Sequence, residues 1–293
     1  MPLSLTDTRS RPQGARKVRD TTKTSWTNAS LPDLSDALQT VLLMDTAPVG
    51  VHLIRTAEEF DATAFPVPPM PVHYCSAVKM AAEGASLKLA LADMSCNTAP
   101  RTLGLQPGFH DPDFVESYIT SGLYADREAA ERILADVVTL QDMAGVALGP
   151  LDAFSDDTPP DVVIVSTLPY GAMRLAQAVS FSGNRIGSNA IGMHGICSEC
   201  TAAPYATGEI HTSLMCSGTR YVAGWNEQLV SAGIPFGQLA DVVEGLMRTA
   251  QRYEPDERKA AMRTSCRRVM PPSGRLAEEI GVLSDREGYF YSK

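Results

Sequence analysis

The chain has 293 residues, 44% of them hydrophobic and 20% charged, which is enough for a full globular core, and no run of about 18 apolar residues predicts a membrane span. The formal net charge is −9; because residues 1–30 hold six Lys or Arg against two Asp, the rest of the chain carries −13. This acidic balance argues against nucleic-acid binding, which needs a basic surface to replace phosphate counterions.

Residues 1–30 are predicted to form a disordered basic leader. The segment has no apolar stretch, so it is not a secretory signal peptide, and a docking arm for an acidic partner is the alternative. Without an export signal, the six cysteines indicate a reducing, cytoplasmic setting and not a disulfide framework. Metal or redox use of the thiols is the leading special interpretation, and inert buried thiols are the ordinary one.

A first α/β half is predicted over residues 31–150. Prolines exclude regular structure over 65–71, because proline withholds backbone N–H donors and restrains its neighbours. The middle of the chain, residues 111–145, is predicted to be helical and to carry no obvious chemistry. The predicted elements are a helix over 36–43, a strand over 48–54, a helix over 75–83, a strand over 87–91, and helices over 114–119 and 127–140.

A second α/β half is predicted over residues 151–252, followed by a charged, irregular tail over 253–293. The strand over 161–166 is apolar throughout and is therefore predicted to be central. The later glycines lack the pattern of a phosphate-binding loop, so nucleotide binding is not predicted. The predicted elements are a strand over 161–166 and helices over 170–181, 219–224 and 238–251.

Two stretches of the chain resemble one another, and each carries two cysteines. Cys75 and Cys197 are both followed by serine, and the second cysteines, Cys96 and Cys216, follow them after 21 and 19 residues. Cys75 and Cys96 fall at or just before a predicted helix, where unpaired backbone N–H groups favour thiolate. The predicted fold class is α/β, with two pseudo-repeated α/β halves around a shared core, each contributing two cysteines at strand-to-helix junctions.

Seven segments carry a resemblance to a known family. They are Tyr74–Val78, Met94–Cys96, Asp161–Val165, Ala172–Leu175, Ile196–Ser198, Thr207–Gly208 and Leu214–Arg220. Together they resemble the domain of unknown function 169 family over roughly residues 35–250. The resemblance implies kinship, an α/β core and a cytoplasmic protein, with family cysteines at the four positions named above. The chain departs from the family in having Asn97-Thr98-Ala99 where glycine is usual, and Cys200 is additional to the family pattern.

The cysteines predict a metal centre if the two halves converge. Four thiolates can hold a 4Fe-4S cluster, and three can do so with an open iron for substrate. Structural zinc is the alternative, although two C-x-x-C motifs would be its stronger signature and only Cys197 to Cys200 forms one. Redox-active or merely buried thiols are the remaining interpretations. We therefore expect Cys75, Cys96, Cys197 and Cys216 to bind a 4Fe-4S cluster, with zinc as the alternative cofactor.

Four further residues are candidates for substrate chemistry. Cys200 is predicted to act beside the cluster as a nucleophile or sulfur acceptor, or else to be a small helix-face residue. Arg101 and Arg220 follow their cysteines by five and four residues and are predicted to bind an anionic substrate or offset cluster charge; an ion pair between the halves is the alternative. His194 is predicted to be a proton donor or alternative ligand, or else a structural histidine.

These features predict a cytosolic iron–sulfur protein, and an enzyme in preference to an electron carrier, because a carrier usually holds its ligands in compact runs. Reductive or sulfur-transfer chemistry on a small metabolite is expected, with an electron-donor protein as a further partner and with neither nucleic acid nor membrane involved. The alternative function is a non-catalytic small-molecule-binding module stabilised by zinc or a cluster. A metal-free ligand-binding protein is a third interpretation.

Overall fold

The computed structural model describes residues 26–109, 111–188, 191–250 and 254–269, and its strands form one antiparallel sheet. The strands are β1 (Val49–Ile54), β2 (Leu87–Leu89), β3 (Gly145–Pro150), β4 (Val162–Thr167), β5 (His211–Ser213) and β6 (Val230–Pro235). Their order across the sheet is β2-β3-β1-β4-β6-β5. The mixed α/β class predicted from the sequence is therefore confirmed.

The helices cover both faces of this sheet and extend beyond its edge. They are α1 (Leu31–Leu42), α2 (Ala57–Ala62), α3 (Tyr74–Ala82), α4 (Thr98–Thr102), α5 (Pro112–Thr120), α6 (Arg127–Ala135), α7 (Pro169–Phe181), α8 (Ala203–Thr207), α9 (Leu239–Arg248) and α10 (Asp256–Val269). Two π-helices, Gly195–Ala202 and Gly218–Val222, flank β5. No helix within the described residues is both long and apolar enough to cross a bilayer.

Strand β4 lies at the centre of the sheet, as its unbroken apolar sequence predicts. It pairs antiparallel with β1 on one side and β6 on the other, and all six of its residues are buried. Val163 and Val165 point into a core shared with α1, α7 and α9. Val162 and Ile164 point to the opposite face, into a core that contains α3 and the first π-helix. The sheet therefore separates two hydrophobic layers.

Helices α5 and α6 form a small lobe inserted between α4 and β3. The lobe has its own apolar cluster, formed by Phe109, Val115, Ala130, Leu134 and Val137. Helix α6 ends at Ala135, earlier than its apolar spacing predicts, because the following residues turn back toward the main body and the Leu140 N–H donates to the Thr102 carbonyl at 2.8 Å. The insertion thus lies against the segment that follows Cys96.

Both chain ends depart from the sequence-based expectation where they are described. Most of the predicted leader lies outside the described residues, but Trp26 is fully buried and the Ser30 side chain accepts the Asp33 N–H at the start of α1.

In place of an irregular tail, residues 256–269 form α10, which packs on α1. Met262 and Cys266, four residues apart, are fully buried there, and Arg268 pairs with Asp36 at 3.2 Å. Because the apolar stripe on this charged helix is so narrow, its sequence resembles that of an exposed segment.

Candidate functional site: a cavity lined by four cysteines

Cys75, Cys96, Cys197 and Cys216 line a single cavity of about 380 Å³. Cys75 is in α3, Cys96 lies between β2 and α4, Cys197 is in the first π-helix and Cys216 lies between β5 and the second π-helix. All four sit on the same face of the sheet, in or against the same apolar layer or at its edge. The structure therefore brings together four thiols from segments up to 141 residues apart in the sequence.

Each of these cysteines lies at the beginning of a helical segment. Cys75 is the second residue of α3 and Cys197 the third of the first π-helix, whereas Cys96 and Cys216 each stand two residues before a helix starts. The first N–H groups of a helix have no partner within it and form the positive end of its dipole. Backbone N–H groups of Cys75 and Ser76 accordingly favour the Cys75 thiolate. Such donors stabilise negative charge on sulfur.

Burial and repulsion from neighbouring cysteines disfavour the thiolate form when no cation is present. Burial raises the pKa of the Cys75 thiol to about 12, and the neighbouring Cys216 and Cys96 add to the rise. Burial likewise raises the pKa of Cys197 well above its usual value, with further contributions from Cys216, Cys96 and Cys75. Cys96 and Cys216 are thus close enough to Cys75 and Cys197 to oppose the ionisation of these two thiols. A metal cation reverses this balance because it binds the thiolate form.

The donor set is of a kind that two metal centres use. A mononuclear zinc site needs its thiolates all about 2.3 Å from one atom. In a 4Fe-4S cluster each thiolate binds a different iron, so the ligands stand farther apart around a larger volume. Among the described residues, no group of three or more His, Cys, Asp or Glu side chains is placed to hold a metal ion as the side chains stand.

The inserted lobe supplies a cavity residue that the sequence analysis did not identify. Tyr118, on α5, lines the cavity, and its hydroxyl lies 3.4 Å from both Thr98 Oγ1 and His194 Nε2. Burial raises the pKa of Tyr118 to about 12, with Cys197 among the smaller contributors. Nothing in the spacing around Tyr118 distinguishes it from a core residue of an amphipathic helix, so only the folded chain shows its place.

His194, which the sequence predicts to be a substrate-binding residue, lies in the cavity wall. It is 3% exposed, it adopts a left-handed backbone conformation with φ of 56°, and its ring centre lies 4.9 Å from that of Phe109. Burial lowers its pKa to about 4, so the imidazole is neutral at physiological pH. Its Nδ1 atom is buried and has no hydrogen-bond partner among the described residues.

Arg101 and Arg220 do not line the cavity. Each guanidinium instead turns back onto the chain around its own cysteine and donates mainly to backbone carbonyls, at 2.5 to 3.2 Å. The acceptors are the carbonyls of Pro107 and Gly108 and the carboxylate of Asp111 for Arg101, and the carbonyls of Leu214, Asn226 and Leu229 for Arg220. The arginines therefore fix the cysteine loops through these bonds, and the Arg101 Nε–H is buried without a hydrogen-bond partner among the described residues.

Cys200 is fully buried behind the cavity and does not line it. Burial, with the nearby Glu199 carboxylate, raises the pKa of its thiol well above the usual value. The π-helix packs so closely on β6 that a Cβ at Gly233 would stand 2.1 Å from the Cys200 carbonyl oxygen. A buried thiol of this kind is a poor nucleophile, so the geometry gives the predicted catalytic role of Cys200 no support.

Hydrogen bonds brace the cavity across the sequence. The Trp225 indole N–H donates to the Cys75 carbonyl at 3.1 Å, and Lys79 Nζ donates to the Gly224 carbonyl at 2.8 Å. The Tyr74 and Thr201 hydroxyls are 3.0 Å apart and fully buried. These contacts hold α3 against the two π-helices, so the four thiols are presented by a stiff frame.

The fold and this site define a mixed α/β protein with a cavity lined by dispersed cysteines. The family model of the domain of unknown function 169, described as "Uncharacterised ArCR", matches residues 37–245. The chain belongs to that family, as the resemblance of its cysteine-bearing segments suggested. No curated protein and no solved structure matches the chain.

Proposed function

We propose that the protein binds a 4Fe-4S cluster through Cys75, Cys96, Cys197 and Cys216 and acts on a small metabolite in the adjoining part of the cavity. The observation that carries the proposal is that these four thiols, brought from four separate segments, line one cavity. Four thiolates are the usual ligand set of such a cluster. Six free cysteines suit a cytoplasmic location, where thiols stay reduced.

The strand order supports an origin by duplication, which would explain why each half supplies two cysteines. The half-sheet β2-β3-β1 is followed by β4-β6-β5, so the order of the first three strands is repeated in reverse. Strands β1 and β4 pair antiparallel where the halves meet. A unit that pairs with its own copy across a two-fold axis produces this order.

An enzyme is a better match than a protein with a purely structural metal centre, because residues other than the cysteines also line the cavity. When bound, a cluster of this kind supplies electron transfer, or a Lewis-acidic iron if one position is open. The chain's own contribution is a hydrogen-bonding wall at Tyr118 and His194 and an apolar wall that includes Ile196 and Leu123. We propose reductive or sulfur-transfer chemistry, with an electron-donor protein as partner.

Iron and sulfide analysis of anaerobically purified protein tests the proposal. We expect a brown protein with about four irons and four sulfides per chain. Single changes of Cys75, Cys96, Cys197 or Cys216 to serine should each lower the iron content severalfold, because each removes one ligand.

Cys200→Ala and Cys266→Ser provide matched controls, since both thiols are buried and lie outside the cavity lining. Both variants should keep the iron content of the parent protein. A colourless protein with one zinc per chain would instead favour a metal-stabilised binding module, and a protein without metal whose four serine variants are as stable as the parent would contradict both.

A further inference from the structure

The polar lining of the cavity, other than the cysteines, consists of hydroxyl, amide and imidazole groups. Among the described residues that line it there is no Asp, Glu, Lys or Arg. An anionic ligand would therefore leave water without a Lys or Arg side chain to receive it, which is costly.

The two arginines nearest the cysteines do not change this conclusion. Arg101 donates to two carbonyls and to Asp111, Arg220 donates to three carbonyls, and neither lines the cavity. A cluster held by four thiolates would add net negative charge to the cavity. An anionic substrate would meet repulsion there and no Lys or Arg of the lining to offset it.

One wall nevertheless offers specific hydrogen bonds. His194 is 3% exposed, and its Nδ1 atom lacks a hydrogen-bond partner among the described residues. Because Nδ1 itself is buried, the polar group that this wall presents to a ligand is the Tyr118 hydroxyl. The Tyr118 hydroxyl, 3.4 Å from His194 Nε2, stands beside it. Both residues line the same cavity as the four cysteines.

We propose that the substrate of this site is a partly apolar small molecule without negative charge that is recognised through a hydrogen bond with the Tyr118 hydroxyl, which His194 helps to position. This inference rests on the proposed function for its placement beside a metal centre, and it names the substrate class of that site. Leu123, Met193 and Ile196 provide apolar contact around these two polar groups. The cavity volume of about 380 Å³, shared with a cluster, restricts the ligand to a small metabolite.

Two probes of nearly equal shape test the inference: benzamide and benzoate. Their dissociation constants are measured at neutral pH by ligand-observed NMR, and the iron content of every sample is measured alongside. Benzamide should bind at least about tenfold more tightly than benzoate, because the benzoate carboxylate meets no Lys or Arg in the cavity lining. Tyr118→Phe should weaken benzamide binding about five- to tenfold through loss of one hydrogen bond.

Tyr124→Phe is the matched control, since Tyr124 stacks near Tyr118 but does not line the cavity. It should leave benzamide binding unchanged, and both tyrosine variants should keep the iron content of the parent. Tighter binding of benzoate, no binding of either probe, or no effect of Tyr118→Phe would overturn the inference. Iron-containing protein without this selectivity contradicts the inference alone, whereas iron-free protein that still prefers benzamide contradicts the proposed cluster alone.

Discussion

Single side chains set the electrostatics where β1 meets β4 as well as those of the cavity. His52, on β1, lies between two carboxylates, with Nε2 2.9 Å from Glu59 Oε1 and Nδ1 3.1 Å from Asp161 Oδ2. The hydrogen bond and charge of Asp161, with help from Glu59, raise the pKa of His52 above its ordinary value despite partial burial. Asp161 also accepts the Leu53 N–H at 2.7 Å, so the group joins the ends of β1 and β4.

The raised pKa of His52 predicts a pH-dependent contribution to stability. A histidine whose folded-state pKa exceeds its unfolded value near 6.5 stabilises the fold fully below that value and loses the contribution as pH rises through the folded pKa. The difference in unfolding free energy between the parent and His52→Gln should therefore be largest near about pH 6, on the order of 1 kcal/mol, and shrink by about pH 8.5. Urea titrations at several pH values measure it.

Glu59 does not disturb that comparison. The backbone N–H of Arg55 donates to the Glu59 carboxylate and lowers its pKa, and His52 lowers that pKa by a smaller amount. This carboxylate therefore stays ionised throughout the range tested. A difference in unfolding free energy that is constant from pH 6 to 8.5 would show that His52 does not change its charge there.

At the level of elements, periodic sequence predicted structure well, including the helix that carries Cys75, and the segment around Cys197 less well. The strand at 161–166 and the helix at 170–181 were located nearly to the residue, because continuous apolar sequence and helical spacing are local signals. The π-helix at Gly195–Ala202 was not, since its eight residues are all buried and show no amphipathic period. Its form depends on packing against β6, which no local pattern encodes.

The close contact between that π-helix and β6 makes a prediction. Gly233→Ala should destabilise the protein by about 1–3 kcal/mol, because the added Cβ would meet the Cys200 carbonyl, which is backbone and cannot rotate away. Gly237→Ala is the control, since a Cβ there meets no atom within 4 Å. Chemical denaturation of both variants gives the comparison, and equal stability would mean that β6 and the π-helix separate at little cost.

At the scale of the whole molecule, the sequence indicated which cysteines would lie together but not which other residues would surround them. The matching cysteine spacings pointed to one shared cavity, and the structure brings those four residues together; that they bind iron stays a prediction. Tyr118 and the loop-fixing roles of Arg101 and Arg220 could not be read from the sequence, because both depend on contacts made only after the chain has folded. Residues 256–269 likewise join the core through contacts with α1, which a local sequence pattern does not show.

The burial of α10 predicts that the far end of the described chain contributes to global stability. Met262→Ala should lower the unfolding free energy by about 2–4 kcal/mol, the usual cost of removing a large buried side chain. Met70→Ala, at a position 67% exposed, should change it by less than about 0.5 kcal/mol. Equal effects of the two changes in urea unfolding would place α10 outside the cooperative core.

The bracing of Cys75 by Trp225 has a consequence for biosynthesis. The indole that holds the first thiol-bearing helix is translated 150 residues after it, and Cys216 emerges only shortly before that indole. A nascent chain that ends before residue 216 can present three of the four sulfurs at most, and it lacks the brace. Any centre that uses all four ligands is therefore loaded late, once the second half has left the ribosome, and a stalled chain truncated near residue 200 should bind no complete centre.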